Sequence, residues 1–188
     1  MVGISLLPYL QKKRKDTGRT MVFAGRERHA SARYNNWGYP SRALRTKDFL
    51  YIKNFRPERW PAGDPCAINN KGELEAMHSA YHDIDACPSW DFIVSNRDDR
   101  EIYPYFLKAA GKRPYEELYD ISSDPGCLHN LVGNGKCTEK LTNLRKEMDK
   151  LLKKTKDTRY LDNPAQDDIW ETYPRLSGAI RTFPAPLF

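Results

Sequence analysis

The sequence lacks the signatures of several common protein classes. No apolar run approaches the ~20 residues that a membrane-spanning helix requires, and residues 1–10 carry no basic segment ahead of their apolar stretch, as a secretory signal peptide would. Glycine-rich nucleotide loops and the G-x-S-x-G nucleophile elbow are also absent. We therefore expect no membrane span, and no motif points to nucleotide binding or serine hydrolysis.

Cysteine is scarce, and the four cysteines form no metal-binding motif. Because no C-x-x-C pair occurs, a zinc ribbon or zinc finger is not expected. Cys127 and Cys137 stand on either side of a glycine-rich turn and could form a disulfide. Free thiols are equally compatible with the sequence.

Positive charge exceeds negative charge over the 188 residues. Lys and Arg number 31 and Asp and Glu number 25, which gives a net charge of +6. This excess suits a polyanion such as a sulfated glycan, a nucleic acid or an anionic membrane, although a basic surface without such a partner fits equally well. Aromatic residues make up 12% of the chain, which argues against disorder, and the length fits one domain.

Four strands are predicted, two of them in a hairpin. The apolar run in residues 20–24 is bounded by charge and glycine, which indicates a short buried strand. Residues 42–45 and 49–54 predict a hairpin with its turn at residues 46–48. Alternation over residues 116–121 predicts the fourth strand.

One long helix is predicted near the carboxyl end. Over residues 138–154 apolar side chains recur at helical spacing, and Thr138 can cap the first turn. A shorter helix is predicted to end at Gly111, with Pro104 in its first turn. Strands followed by helices favour an α+β fold, in which a small antiparallel sheet packs against the long helix and the loops are long and ordered.

A charged cluster directly after the first predicted strand is the best candidate site. Arg26, Glu27, Arg28 and His29 stand at this strand end, where binding residues are common. Guanidinium groups bind sulfate, phosphate or carboxylate through paired hydrogen bonds, and Glu27 could accept hydrogen bonds from sugar hydroxyls. The alternative is a solvated loop in which Glu27 pairs with the arginines.

The histidines in the middle of the chain are a weaker candidate for a metal site. His78 and His82 are four residues apart and would share one face of a helix, with Asp83 and Asp85 nearby. No pattern shows that these groups converge, so we predict no metal ligands.

Several segments resemble, in order, the last third of a type I sulfatase. Each motif has modest specificity, whereas their order and spacing over roughly residues 3–152 are much more specific. The likeness is closest to the bacterial branch similar to heparan N-sulfatase (N-sulfoglucosamine sulfohydrolase). The segments are residues 3–8 (G-I-S-L-L-P), 25–29 (G-R-E-R-H), 39–46 (Y-P-S-R-A-L-R-T), 60–65 (W-P-A-G-D-P) and 113–125, which contains E-L-Y-D and D-P.

The resemblance implies the carboxy-terminal subdomain of a hydrolase that acts on the sulfate esters or N-sulfates of sulfated glycans. It assigns residues 1–19 to the end of a catalytic domain and a linker, residues 20–154 to the subdomain and residues 155–188 to an extended tail. The formylglycine nucleophile and the calcium ion of such enzymes are then expected only in an amino-terminal sulfatase domain missing from this chain. Residues 86–90 (A-C-P-S-W) do not match the nucleophile motif C-x-P-S-R.

The same resemblance implies substrate contacts but no catalytic residue in this chain. His29 matches a substrate-contacting position best, followed by Glu27, Arg28 and Arg26. Attack on sulfur requires an activated nucleophile and a metal, so the chain alone is expected to be inactive. Enzymes of this kind imply a periplasmic or secreted location, although this chain contains no signal peptide.

Two other functions stay open at this stage. The chain could be a stand-alone binding module for acidic glycans that descends from the same subdomain. Basic and aromatic residues also interleave between Arg33 and Arg59, as in proteins that stack nucleic-acid bases. No nucleic-acid motif accompanies them, so no nucleic-acid partner is predicted.

Overall fold

Four antiparallel strands form the sheet at the centre of the structure, a computed structural model that describes residues 5–16, 18–75, 81–161 and 182–186. The strands lie side by side in chain order, and each pairs with the next. All four predicted strands are confirmed, including the hairpin. They are β1 (Met21–Arg26), β2 (Ser41–Thr46), β3 (Phe49–Asn54) and β4 (Glu116–Asp120).

The prediction that β1 is buried is wrong. β1 lies at the edge of the sheet, and in the described part of the chain it pairs only with β2. Met21 and Phe23 pack against the core and are partly buried, whereas Val22 on the opposite face is 48% exposed. An edge strand has a neighbour on one side only, so an apolar sequence does not ensure its burial.

A long helix, α4 (Thr138–Lys154), covers one face of the sheet and creates the main core. Its buried side chains recur at helical spacing, which places them along one stripe of the helix. This stripe packs against the central strands, and the predicted α+β fold is confirmed. The core consists of Leu141, Leu144, Met148 and Leu152 from the helix and Leu44, Tyr51, Phe55 and Leu118 from the sheet side.

The start of α4 is not capped as the sequence suggests. Cys137 occupies the position before the first helical residue, and no side chain caps the helix there. The Thr138 hydroxyl instead donates a hydrogen bond to the Gly135 carbonyl at 2.9 Å. A 3-10 turn, Gly135–Cys137, leads directly into the helix. Because this turn precedes Thr138, Thr138 is not the residue that caps the helix.

Two shorter helices, α2 (Pro88–Ser95) and α3 (Tyr103–Ala110), support a second core rich in aromatic rings. The Tyr81 ring meets the Trp90 ring edge to face at a centroid distance of 5.6 Å and the Phe106 ring at 6.0 Å. As predicted, α3 has proline in its first turn and Gly111 directly after its end. A Cβ atom at Gly111 would lie 2.5 Å from the Leu107 carbonyl oxygen, so only glycine fits there.

Some sequence-based interpretations concern residues outside the described part of the chain. These are residues 3–4 of the first motif, His78, and residues 162–181 of the predicted tail. Within the described part, a four-residue helix, α1 (Leu7–Leu10), is largely exposed, and Thr182 forms an isolated bridge with Ile68. The domain boundaries at residues 19 and 154 stay predictions.

No helix in the described ranges combines the length and apolar character needed to cross a membrane.

Replacing Met148 with alanine tests the packing of α4 on the sheet. Met148 is fully buried, so Met148→Ala is expected to lower the free energy of unfolding by about 2–5 kcal/mol through lost burial and a residual cavity. Lys146→Ala on the exposed side of the same helix is the matched control, with an expected change within about 0.5 kcal/mol. Equal unfolding midpoints for the two variants in urea would contradict this packing.

Candidate functional site

A polar pocket of about 320 Å³ lies on the face of the sheet opposite α4, and we call it the sheet pocket. Successive side chains of a strand point to opposite faces of the sheet, and paired residues of neighbouring strands point to the same face. Arg26 pairs with Ser41 and Ser41 with Asn54, so all three lie on this face. The remaining wall comes from the loop after β1, the segment before α2, and the end of α3. The lining residues are Arg26, Tyr39, Ser41, Ile52, Asn54, Pro61, Ala62, Asp83, Ala109, Arg113 and Glu117.

Charged groups of both signs line the sheet pocket. Glu117 is buried, and its two carboxylate oxygens accept hydrogen bonds from the Asn54 amide at 2.7 Å and the Tyr119 hydroxyl at 2.5 Å. Arg26 is exposed at the pocket rim, and Arg113 is partly buried and donates to the Lys108 carbonyl. The pocket therefore offers two guanidinium groups together with a carboxylate that is already held in place.

Tyr39 presents a buried hydroxyl without a hydrogen-bond partner in the described part of the structure. Burial, and secondarily the negative charge of Glu117, raises the pKa of this phenol above its usual value. The hydroxyl is therefore protonated near neutral pH and can donate a hydrogen bond. A buried hydroxyl without a partner costs free energy, so Tyr39 is the residue of the pocket wall whose polar group lacks a structural explanation.

Arg33 is the most deeply buried charged residue near the pocket, with 1% of its surface exposed. Its guanidinium donates to the Trp60 carbonyl at 2.7 Å, to the Pro61 carbonyl at 2.7 Å and to the Asp83 carboxylate at 2.9 Å. Burial lowers the pKa of Arg33, and Asp83 acts in the opposite direction. The Nη1 atom, also buried, has no hydrogen-bond partner among the described residues.

Asp83 connects this buried pair to the predicted site residue His29. One Asp83 oxygen accepts from Arg33, and the other lies 3.4 Å from Nδ1 of His29. The Asp83 side chain is 6% exposed, whereas the His29 side chain is 66% exposed. His29 is thus tethered through one ring nitrogen, while most of its imidazole faces solvent beside the pocket wall.

Glu27 lies on the other side of the sheet from Arg26, in a network of ion pairs. Its carboxylate accepts from Arg42 at 2.6 Å and from Arg159 at 2.7 Å, and both arginines are nearly buried. Arg42 also donates to both carboxylate oxygens of Asp157, at 2.7 and 2.9 Å. Burial acts to lower the pKa of Arg42, but its hydrogen bonds to Asp157 and Glu27 outweigh that effect and raise it.

The four predicted substrate-binding residues therefore separate into different environments. Arg26 lines the sheet pocket, and His29 adjoins it through Asp83. Glu27 pairs on the α4 side, and Arg28 donates to the Asn36 carbonyl at 3.1 Å. A role for each of them in substrate binding stays a prediction.

Of the residues that line the sheet pocket, Arg26 alone was predicted as a site residue. Tyr39 and Arg113 each lie in a segment that carries the sulfatase resemblance, which was the available signal. Glu117 lies in the E-L-Y-D motif of the same resemblance and in a predicted strand, but neither pattern indicates that its carboxylate is buried.

Cysteines and metal ligands add no further chemistry in the described ranges. All four cysteines are free thiols, including Cys127 and Cys137. The described residues contain no group of three His, Cys, Asp or Glu side chains that could hold a metal ion.

Comparison with known proteins gives one informative similarity. No protein-family model matches the sequence. An ulvan-active sulfatase from Formosa agariphila is 31% identical over 156 residues, which is 79% of this chain and 24% of the relative. This chain thus spans about a quarter of that relative's length, and the similarity supports the sulfatase family for the region matched.

Two solved structures resemble the chain more distantly. One is a Bacteroides thetaiotaomicron protein assigned to the sulfatases, and the other is a 2-O GAG sulfatase. Each is 18% identical, with a TM-score of 0.45 over 86% of this chain and 22% of the other.

Removing single hydroxyl groups distinguishes the two buried tyrosines near Glu117. Tyr39→Phe removes an unpartnered hydroxyl, so stability is expected to stay equal or to rise by up to about 1 kcal/mol. Tyr119→Phe removes a donor to buried Glu117 and is expected to cost about 1–3 kcal/mol. Chemical denaturation measures both, and a larger loss for Tyr39→Phe would show that its hydroxyl supports the fold.

Replacing Glu27 with glutamine tests whether its ion pairs hold the chain after α4 to the sheet. Glu27→Gln weakens the bonds to Arg42 and Arg159, so we expect a loss of about 2–4 kcal/mol in the free energy of unfolding. Glu58→Gln is the control, because the exposed Glu58 pairs with Arg59 at 3.8 Å, and such pairs contribute about 0–1 kcal/mol. Similar thermal midpoints for the two variants would exclude a structural role for Glu27.

Proposed function

We propose that this chain is the glycan-binding carboxy-terminal part of a sulfatase or sulfamidase. Similarity to a curated sulfatase over most of the chain supports this assignment. The observation that carries it further is the sheet pocket, which Arg26 and Arg113 line together with Tyr39, whose buried hydroxyl has no partner among the described residues. Two guanidinium groups and a neutral donor suit a sulfate group on a sugar.

Each side chain of the pocket has a separate task in this proposal. Arg26 and Arg113 attract and orient the sulfate, and Tyr39 donates a hydrogen bond to it. Glu117, held by Asn54 and Tyr119, retains lone pairs for sugar hydroxyls, because a carboxylate has about four acceptor positions.

His29 is the proposed contact to the bridging atom of the sulfate group. Its Nδ1 faces Asp83, which orients the ring and leaves Nε2 directed away from this tether. From there the imidazole can donate to, or protonate, the oxygen or nitrogen that leaves the sulfur. The predicted substrate contacts of Glu27 and Arg28 stay part of this proposal, although neither residue lines the sheet pocket.

The remaining chemistry is proposed to lie in an amino-terminal sulfatase domain outside this sequence. A formylglycine hydrate and a calcium ion would supply the attacking oxygen and charge neutralisation there. The described residues provide no set of ligands for such an ion, and we derive no step through it. The isolated chain is accordingly proposed to be inactive.

The finer assignment to the bacterial branch similar to heparan N-sulfatase rests on the motifs alone. Supporting segments are residues 26–29 and 39–46. Within this proposal the substrate carries an N-sulfate or an O-sulfate, and the protein acts in the periplasm or outside the cell. Neither nucleic acid nor membrane insertion is part of the proposed function.

Titration with ulvan oligosaccharides, before and after chemical desulfation, tests the proposal by calorimetry. Arg26→Met is expected to weaken binding of the sulfated form by about fivefold to twentyfold, because it removes a charged donor. Arg100→Met, on an exposed turn, is the matched control and is expected to leave affinity unchanged. Sulfate release in the same samples is expected to stay at background.

Equal affinity for the sulfated and desulfated forms would refute sulfate recognition. If the Arg26→Met variant binds the sulfated oligosaccharide as tightly as the wild type, the sheet pocket is not the sulfate-binding site. Sulfate release by the isolated chain would overturn its proposed inactivity.

A further inference from the structure

A second pocket, of about 440 Å³, adjoins the sheet pocket, and we call it the tryptophan pocket. The two pockets share a wall. Trp60 lines the tryptophan pocket, whereas the next two residues, Pro61 and Ala62, line the sheet pocket. In the same way Lys112 faces one pocket and Arg113 the other. The segments 60–62 and 112–113 therefore lie between the two pockets.

The tryptophan pocket combines aromatic rings with cations. The Arg59 guanidinium lies 4.5 Å from the centroid of the Trp37 ring, and the Lys112 ammonium lies 5.5 Å from that of Trp60. Lys112 is exposed and forms no ion pair with a described residue, although its charge acts on Asp64 in the same pocket. Its contact with Trp60 is a cation–π contact of an exposed group, worth only about 0.5–1 kcal/mol, so an anion can recruit the ammonium at little cost.

Carboxylates provide acceptors in the same pocket. Asp64 accepts a hydrogen bond from the Tyr34 backbone amide at 2.8 Å, which fixes its position in the wall. Burial raises the pKa of Asp64, and the Tyr34 amide acts in the opposite direction. Glu58, at the exposed rim, adds a second carboxylate.

The carboxy-terminal segment closes one side of this pocket. Pro184 and Pro186 line it, and the preceding residues are anchored. Phe183 is 3% exposed with its ring 6.1 Å from the His82 ring, and Thr182 pairs with Ile68. The pocket is thus assembled from segments far apart in the sequence, each with its own anchorage.

We propose that the tryptophan pocket binds a neighbouring, anionic sugar residue of the same glycan chain that the sheet pocket engages. Apolar faces of a sugar ring can pack on Trp60, its hydroxyls can donate to Asp64, and its sulfate or carboxylate can pair with Lys112. The exposed ammonium, which feels the Asp64 charge but is in no ion pair with a described residue, supports an anionic occupant over a neutral peptide. This inference rests on the proposed function and extends it from one sugar to two.

Oligosaccharide length and Lys112 variants together test the second pocket. The wild-type chain is expected to bind an ulvan tetrasaccharide about tenfold more tightly than an ulvan disaccharide. Lys112→Met is expected to weaken tetrasaccharide binding by about threefold to tenfold and Lys112→Glu to weaken it further, with disaccharide binding unchanged. Lys153→Glu, an exposed lysine on α4, controls for net charge and is expected to have less effect than Lys112→Glu.

The outcomes separate the two proposals. If the wild type binds both lengths with equal affinity, or if both Lys112 variants bind the tetrasaccharide like the wild type, the second pocket is refuted. In that case the effect of Arg26→Met still decides the sheet pocket. If neither oligosaccharide binds the wild type, the proposed function fails and this inference fails with it.

Discussion

The buried ion pair between Arg33 and Asp83 is the contact on which both pockets depend. Burying a guanidinium costs several kcal/mol unless hydrogen bonds and an opposite charge compensate for it. Here two backbone carbonyls and one carboxylate do so, and the carbonyls belong to Trp60 and Pro61. The pair therefore fixes the segment that separates the two pockets. It also fixes the carboxylate that tethers His29.

The regular elements could be predicted from the sequence because local patterns determine them. The stripe of apolar residues defines α4, and the hairpin follows from two short strands on either side of residues 46–48. The predictions were wrong where burial or capping depends on an adjacent segment of the structure. Burial of β1 depends on its place at the sheet edge, and the preceding 3-10 turn removed the expected capping role of Thr138.

The candidate site was only partly predictable, because long-range contacts divide residues that are adjacent in the sequence. Arg26 and Glu27 were grouped as one cluster, yet they lie on opposite sides of the sheet. Glu27 pairs with Arg159, which is 132 residues away in the sequence. The residues around Glu27 do not indicate so distant a partner. Tyr39 and Arg113 likewise reach the sheet pocket from separate parts of the chain. The density of charge around residues 26–29 indicated the region of the site. The alternation of side chains along the strands then decided which of these residues lies on the pocket face.

Strand alternation also has an evolutionary consequence. One face of the sheet holds the apolar contacts with α4, and the other face holds the pocket lining, so stability and recognition draw on different positions of the same strands. Substitutions on the pocket face remove no side chain of the α4 core, but those that break the hydrogen bonds of Glu117 lower stability. A lineage built on this scaffold can therefore change the pattern of sugars that it recognises in small steps, as long as the bonds that hold Glu117 are kept.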